Sequence, residues 1–300
     1  DEVAQMSPRI WGEVVRPALA DRKGKAIFIG TPFGQQNLFY ELFDKAAELP
    51  NWYRELNTVL DTGIIDDDEL EQLRREMSVE EFEQEMMCSW TAQVRGAYYG
   101  KELKTADEEG RITRVPYDAS LPVHTCFDLG MADSTAIWFI QTVAGEVRAI
   151  DYREYTGTGL PEIIKDLSTL GYNYGDSVAP HDIRVREMGT GVSRWDVANG
   201  LGWHFIIAKQ LPIIDGIDAT RNMIKRMWFD EEKCKYGLEA LRMYRSEWSD
   251  GKRVFALRPL HDWTSHAADS LRYFAVGMRG GNHTSMGTEL NYDLLDRAAI

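Results

Sequence analysis

The sequence predicts an α/β protein built on a mixed sheet with helices on its faces, and three features predict it. Val123–Gly130 reads as a strand, with Val123, Thr125 and Phe127 facing one way and His124, Cys126 and Asp128 the other. Ser134–Val143 and Glu146–Tyr155 read as two further strands around a turn at Ala144-Gly145, so the three form an antiparallel meander. Helical and strand patterns then alternate along the rest of the chain. An ionised Asp128 inside such a meander needs a partner, because burying a lone carboxylate is costly.

At the front of the chain, Trp11–Ala20 has a helical pattern and Lys25–Gly30 reads as a buried strand. Thr31-Pro32-Phe33-Gly34 breaks that strand, and Asn37–Ala47 returns as an amphipathic helix. Residues 61–95 are acidic and helical. Asp66-Asp67-Asp68 suits the positive end of a helix, and Ser78-Val79-Glu80-Glu81 has the capping-box spacing that starts another. Gln93–Tyr117 is rich in Gly, Tyr and charge and reads as a linker holding one short helix at 101–109.

Past the meander the pattern predicts a helix over 160–170, a strand over 177–182, a Gly-rich excursion at 189–193 and a strand over 203–208. Helices follow over 217–229, 237–247 and 264–278, and the Gly-rich stretch after residue 280 reads as a tail. The expected organisation is a partial domain with a helical connector over 1–95, a linker over 96–119, a main domain over 120–280 and a flexible tail over 281–300.

Composition excludes several classes. With 44% hydrophobic and 27% charged residues the chain is globular, and no apolar run approaches the roughly 20 residues that span a bilayer. The opening Asp-Glu-Val-Ala-Gln-Met has no basic or apolar targeting region and no initiator Met, and reads as a processed, excised or incomplete chain. Cys88, Cys126 and Cys234 are far apart and odd in number, which fits a reducing, intracellular compartment rather than a disulfide framework. A net charge of −14 argues against a protein that coats nucleic acid, yet permits a local basic groove and carboxylate-held cations.

Three carboxylates fall at suggestive places: Asp128 on the first strand, Asp182 at the end of the fourth, and Asp269 in the last long helix. On that helix Trp263, Ala267, Leu271, Phe274 and Met278 gather on one face, with Asp262, His266, Asp269 and Tyr273 in a stripe beside it. Convergent carboxylates suit hard divalent cations, and a pair of such ions can drive phosphodiester hydrolysis. Each residue has a plainer reading as well. Asp128 could form an Asx turn, Asp182 could pair with Arg184 or Arg186, and Asp269 with Arg272 or Tyr273. Asp262 could simply cap its helix.

Gly96-Ala97-Tyr98-Tyr99-Gly100, Phe127-Asp128-Leu129-Gly130, Ala179-Pro180-His181-Asp182 and the run His261-Asp262-Trp263-Thr264-Ser265-His266-Ala267-Ala268-Asp269 carry a family resemblance. Asp1-Glu2 and Gly30-Thr31-Pro32 extend it to the front. Over nearly its whole length the chain resembles the large subunit of tailed-bacteriophage terminases, the motor-nuclease that cuts and packages viral DNA. The resemblance implies an RNase H-like nuclease domain over 120–280, preceded by the C-terminal part of a P-loop-type α/β ATPase domain. It implies that Asp128, Asp182 and Asp269 are catalytic ligands of Mg²⁺ or Mn²⁺, with His266 and Asp262 as secondary candidates. Asp1 and Glu2 would end a Walker B strand, Asp1 near the nucleotide Mg²⁺ and Glu2 orienting the attacking water, and Thr31 would sense the nucleotide. Arg184, Arg186 and Arg194 are candidates for contacting double-stranded DNA. The implied partners are the small terminase subunit and the portal protein, with no membrane, in the host cytoplasm.

Two other readings compete: an RNase H-like resolvase or transposase nuclease, and a non-catalytic remnant or docking module. Asp1-Glu2 and Gly30-Thr31-Pro32 count against the first, and the three nuclease carboxylates against the second. These 300 residues contain no Gly-x-x-x-x-Gly-Lys-[Ser/Thr] loop, whose backbone N–H groups and Lys cradle nucleotide phosphates. ATP is therefore expected to serve only an intact motor. A phosphate-release assay on this chain alone should show no DNA-stimulated ATPase activity, and turnover above background would refute that expectation.

Overall fold

The computed structural model describes residues 1–7, 9–35, 37–90, 96–130, 134–186, 191–249 and 254–277, which fall into two units, residues 1–100 and 101–300. The expected tail over 281–300 and the first part of the 189–193 excursion lie outside the described residues.

In the first unit, Ile10–Val15 winds as a π-helical turn that runs into α1 (Arg16–Arg22). The helix expected at 37–47 is α2 (Leu38–Lys45), capped by Asn37, whose side-chain oxygen accepts the Tyr40 N–H at 3.0 Å. A short α3 (Val59–Thr62) precedes α4 (Asp67–Glu76) and α5 (Val79–Glu85). Asp66 caps α4, and Ser78 and Glu81 form the expected capping box on α5. Lys25–Gly30 is a correction. It forms no strand, since among the described residues no strand pairs with it, and Ile27 and Ile29 are exposed. Phe28 alone is drawn inward, packed edge-on to Trp11 at 4.7 Å and stacked on Trp52 at 5.9 Å. A short apolar run suggests a buried strand, but only a neighbouring strand makes one.

The second unit begins with α6 (Gly100–Glu108) and β1 (Ile112–Thr113), both inside the stretch read as a linker. The meander follows as β2 (Val123–Leu129), β3 (Ser134–Val143) and β4 (Glu146–Thr156). Next come α7 (Leu160–Thr169), β5 (Tyr174–Ala179), a 3-10 turn at His181–Arg184, α8 (Arg194–Gly200) and β6 (Phe205–Ile207). The chain closes with α9 (Ile213–Ile224), β7 (Met227–Asp230), α10 (Lys235–Met243), β8 (Ser246–Ser249), β9 (Val254–Pro259) and α11 (Thr264–Gly277).

Seven strands form one mixed sheet in the order β1-β7-β4-β3-β2-β5-β6, and β8 and β9 form a separate pair. The β2–β3 and β3–β4 pairs are antiparallel, whereas β2–β5, β5–β6, β4–β7 and β1–β7 are parallel. Two expectations are corrected here. The helix expected over 217–229 stops at Ile224, and Met227-Trp228-Phe229 becomes a strand filling the slot between β1 and β4. A short apolar run satisfies either period, so its sheet neighbours decide. The strand expected over 177–182 stops at Ala179, so Asp182 sits in the 3-10 turn beyond it.

The two faces of the sheet carry different cores. Val123, Phe127, Leu129, Ile137 and Phe139 pack with Ile163, Ile164 and Leu167 of α7 and with Trp203. On the other face Cys126 lies beside Trp138, and α11 covers both. The Ser270 hydroxyl donates to the Cys126 carbonyl at 2.7 Å, and the Trp138 indole N–H donates to the Ala267 carbonyl at 2.9 Å. Small residues at Ala267, Ala268 and Ser270, all buried, let the helix lie close to the sheet. Gly237 of α10 plays the same part over Trp138. A Cβ there would lie 2.5 Å from the Trp138 ring and 2.8 Å from Tyr152 Cγ. Gly237→Ala should therefore destabilise the chain by about 1–3 kcal/mol, although Ala is the better helix former. Urea unfolding checks this, and a stabilised variant would contradict it.

Candidate active site

The site grows from the register of α11 on β2. Asp128 is the sixth residue of β2, opposite Ala136 of β3, and its side chain belongs to the face that α11 covers. From its first, second and third turns α11 supplies His266, Asp269 and Tyr273, three of the four residues of the stripe. His266 Nδ1 lies 3.1 Å from Asp128 Oδ2, and both side chains are largely buried. The pair joins residues 138 apart in the chain.

Burial pushes the Asp128 carboxyl above its ordinary range, and the charges of Asp269 and Asp182 push the same way against the hydrogen bond from His266. Tyr273 is raised as well, first by burial and then by Asp269, Asp128 and Asp182, so it remains a neutral phenol able to donate a hydrogen bond. The three carboxylates named from the sequence thus feel one another in space. Asp182 is the exposed member, on the 3-10 turn after β5. Asp269 is gripped by Arg272, whose Nε and Nη2 both donate to Oδ1 at 3.2 and 2.9 Å.

Asp262 does not join this group. Its Oδ1 accepts the Thr264 N–H at 2.9 Å and the Thr264 hydroxyl at 2.5 Å, and its carbonyl accepts the Ser265 N–H, so it caps α11. The arginines divide as well. Arg194 opens α8 and donates to the Leu129 carbonyl at 2.9 Å, next to Asp128 in the chain. Arg184 is exposed and stacks over the Trp195 ring at 4.8 Å. Arg186 is exposed and bridges Ser193 through the backbone. Sequence reasoning missed Trp195, for which a lone aromatic beside Arg194 gave no signal.

In the first unit, Asp1 and Glu2 are exposed, and Asp1 Oδ1 accepts the Glu2 N–H at 3.1 Å. Glu2 has a left-handed backbone, with φ of 52°. Gly30 lies against this turn, since a Cβ there would come within 3.3 Å of the Val3 nitrogen and 3.4 Å of Glu2 Cα. Thr31 follows directly, half-buried, so Asp1-Glu2 and Gly30-Thr31 are neighbours in space.

Among the described residues no group of three or more His, Cys, Asp or Glu side chains is already arranged around a metal position. The chemistry of the donors nevertheless fits a hard divalent cation: oxygen ligands, repulsion of Asp128 by Asp269 and Asp182, and a largely buried carboxylate whose ionised form is disfavoured. No helix among the described residues is long and apolar enough to cross a membrane.

No family model matches the chain. It is 24% identical over 277 residues to the large terminase subunit of Escherichia phage T5, covering 86% of this chain and 59% of that protein. In fold it is similar to the large terminase of a thermophilic bacteriophage in complex with ADP, with a TM-score of 0.50 and 17% identity over 94% of this chain and 69% of that one. A weaker likeness, with a TM-score of 0.43 and 12% identity, is to the large terminase nuclease of thermophilic phage G20c with bound magnesium, over 61% of this chain and 97% of that one. At that level it carries no argument. The chain spans about three-fifths of the length of its T5 relative. In sequence over most of its length, and in its mixed α/β fold, the chain resembles the large subunit of phage terminases.

Proposed function

We propose that residues 120–280 form a metal-dependent endodeoxyribonuclease domain that cuts concatemeric viral DNA during packaging, and that residues 1–95 are part of the packaging ATPase with its helical connector. The observation that carries the reading is the largely buried Asp128 held by His266 within electrostatic reach of both Asp182 and Asp269. Asp128, Asp182 and Asp269 would hold Mg²⁺ or Mn²⁺. Such ions, when bound, activate a water and stabilise the leaving oxygen of a phosphodiester.

The chain's own residues have definite tasks in this reading. His266 fixes the Asp128 carboxylate, and Tyr273, kept neutral, offers a hydrogen bond at the same place. Arg184 and Arg186, exposed just beyond Asp182, supply cations for a phosphate backbone despite the overall negative charge. Arg194 steadies the end of β2 and contributes to DNA contact only secondarily. In the first unit the adjacency of Asp1-Glu2 and Gly30-Thr31 supports a nucleotide Mg²⁺ site and sensor in an intact motor. Double-stranded DNA, the small terminase subunit and the portal protein are the proposed partners, in the host cytoplasm.

With Mn²⁺ the chain should nick supercoiled plasmid, and Asp128→Asn should lower the rate by at least about 100-fold, the scale of a lost stabilising charge. Equal cleavage by both would rule out this site, and no cleavage by either would favour the docking reading.

The raised Asp128 carboxyl adds a second, metal-free check. Its value in the fold lies above the ordinary 3.8 of the unfolded chain, so its stabilising contribution is complete below that value and lost as pH rises through the raised one. At neutral pH the metal-free fold therefore carries the cost of an ionised Asp128. Asp128→Asn should melt higher at pH 7 in EDTA, by about 2–4 °C per kcal/mol relieved, and the difference should shrink toward pH 4. Saturating Mn²⁺ should reverse the order by stabilising only the unaltered chain. A variant that melts lower at pH 7 without metal would contradict the assignment.

A further inference from the structure

The grip of Arg272 on Asp269 is asymmetric. Both donors of the guanidinium reach the same oxygen, Oδ1, and among the described residues Oδ2 accepts no hydrogen bond. Asp128 is held in the same way, with Oδ2 committed to His266 and Oδ1 accepting nothing among the described residues. Each of these carboxylates is thus fixed by one oxygen and keeps the other.

The ion pair is not an ordinary surface contact between residues one turn apart. The side chains of Arg272 and Asp269 are only 12% and 26% exposed. The Arg272 stem lies across α9 at Gly216, where a Cβ would come within 2.7 Å of Cδ and 2.8 Å of Cγ. Those atoms are the middle of the side chain, so a methyl group there would displace the guanidinium. Glycine weakens a helix interior, yet α9 carries it at the point where the stem crosses.

We propose that Arg272 is a positioning residue for the candidate metal centre: it holds Asp269 by Oδ1, leaves Oδ2 for a divalent cation, and depends on Gly216 for the groove its stem occupies. This rests on the metal-nuclease reading. A positive charge beside the centre also opposes cation binding, so position and charge pull in opposite directions. Arg272→Lys separates them, because Lys keeps the charge and loses the planar fork.

The test is Mn²⁺ binding to the 300-residue chain stripped of metal, followed by electron paramagnetic resonance, with melting of each metal-free variant alongside. Arg272→Lys should weaken Mn²⁺ binding about 10-fold or more, the usual effect of removing a group that orients a ligand. Gly216→Ala, which deletes no polar atom, should weaken it in the same direction. The double variant should be no weaker than the worse single one, because both remove one contact. Unchanged Mn²⁺ affinity in both single variants, with altered melting only, would overturn the proposal and leave Arg272 a structural residue. Overturning would also follow if Arg272→Gln tightened binding while Arg272→Lys changed nothing, since the role would then be charge alone. If Mn²⁺ bound the unaltered chain and not Asp128→Asn, either result would count against this inference only. Failure of the unaltered chain to bind Mn²⁺ would overturn both readings.

Discussion

The site depends on how closely α11 lies on the sheet. Two hydrogen bonds set that contact, from Ser270 to the Cys126 carbonyl and from the Trp138 indole to the Ala267 carbonyl. Both are fully buried, where an unmet donor or acceptor is expensive, so the helix cannot slide along the strand without breaking them. On the same helix His266 directly precedes the Ala267 anchor and Asp269 directly precedes Ser270. The structural bonds and the candidate site's side chains therefore share one register. Small residues between them, and Gly277 against Val178, keep the helix near enough for that register to matter.

What this contact brings together is electrostatically unfavourable by itself. Burial raises the cost of ionising Asp128, and the charges of Asp269 and Asp182 add to it. The chain offsets part of that cost with two donors from α11, His266 for Asp128 and Arg272 for Asp269. Asp182 stays at the solvent edge, where water screens it. A site stabilised this way tolerates its own charge while keeping oxygen atoms uncommitted. That combination makes sense where a cation completes the balance, and is hard to justify as packing alone.

Much of the site was legible because its residue types are unusual for their positions. A carboxylate within an apolar strand and a stripe of Asp, His and Tyr bordering a helix core both resist an ordinary explanation. Ser78-x-x-Glu81 and Asp66 stood out as caps for a similar reason, since local hydrogen bonding decides them. Lys25–Gly30 and Met227–Asp230 misled in opposite directions. Lys25–Gly30 has the apolar run of a buried strand and no ladder among the described residues, while Met227–Asp230 has the pattern of a helix end and pairs with two strands. Asp262 shared the stripe's spacing but spends its oxygen on the helix start.

By itself, the sequence determined the meander, the helix caps, the three carboxylates and the motifs of a terminase-like chain, because periodicity, capping and motif chemistry act over a few neighbouring residues. Only the tertiary structure decided that β1 and β7 complete the sheet, that His266 meets Asp128 across 138 residues, and that one Arg272 fork takes a single oxygen of Asp269 above Gly216. Those depend on which surfaces come to lie against each other, and strand pairing and helix packing are settled between segments distant in the chain.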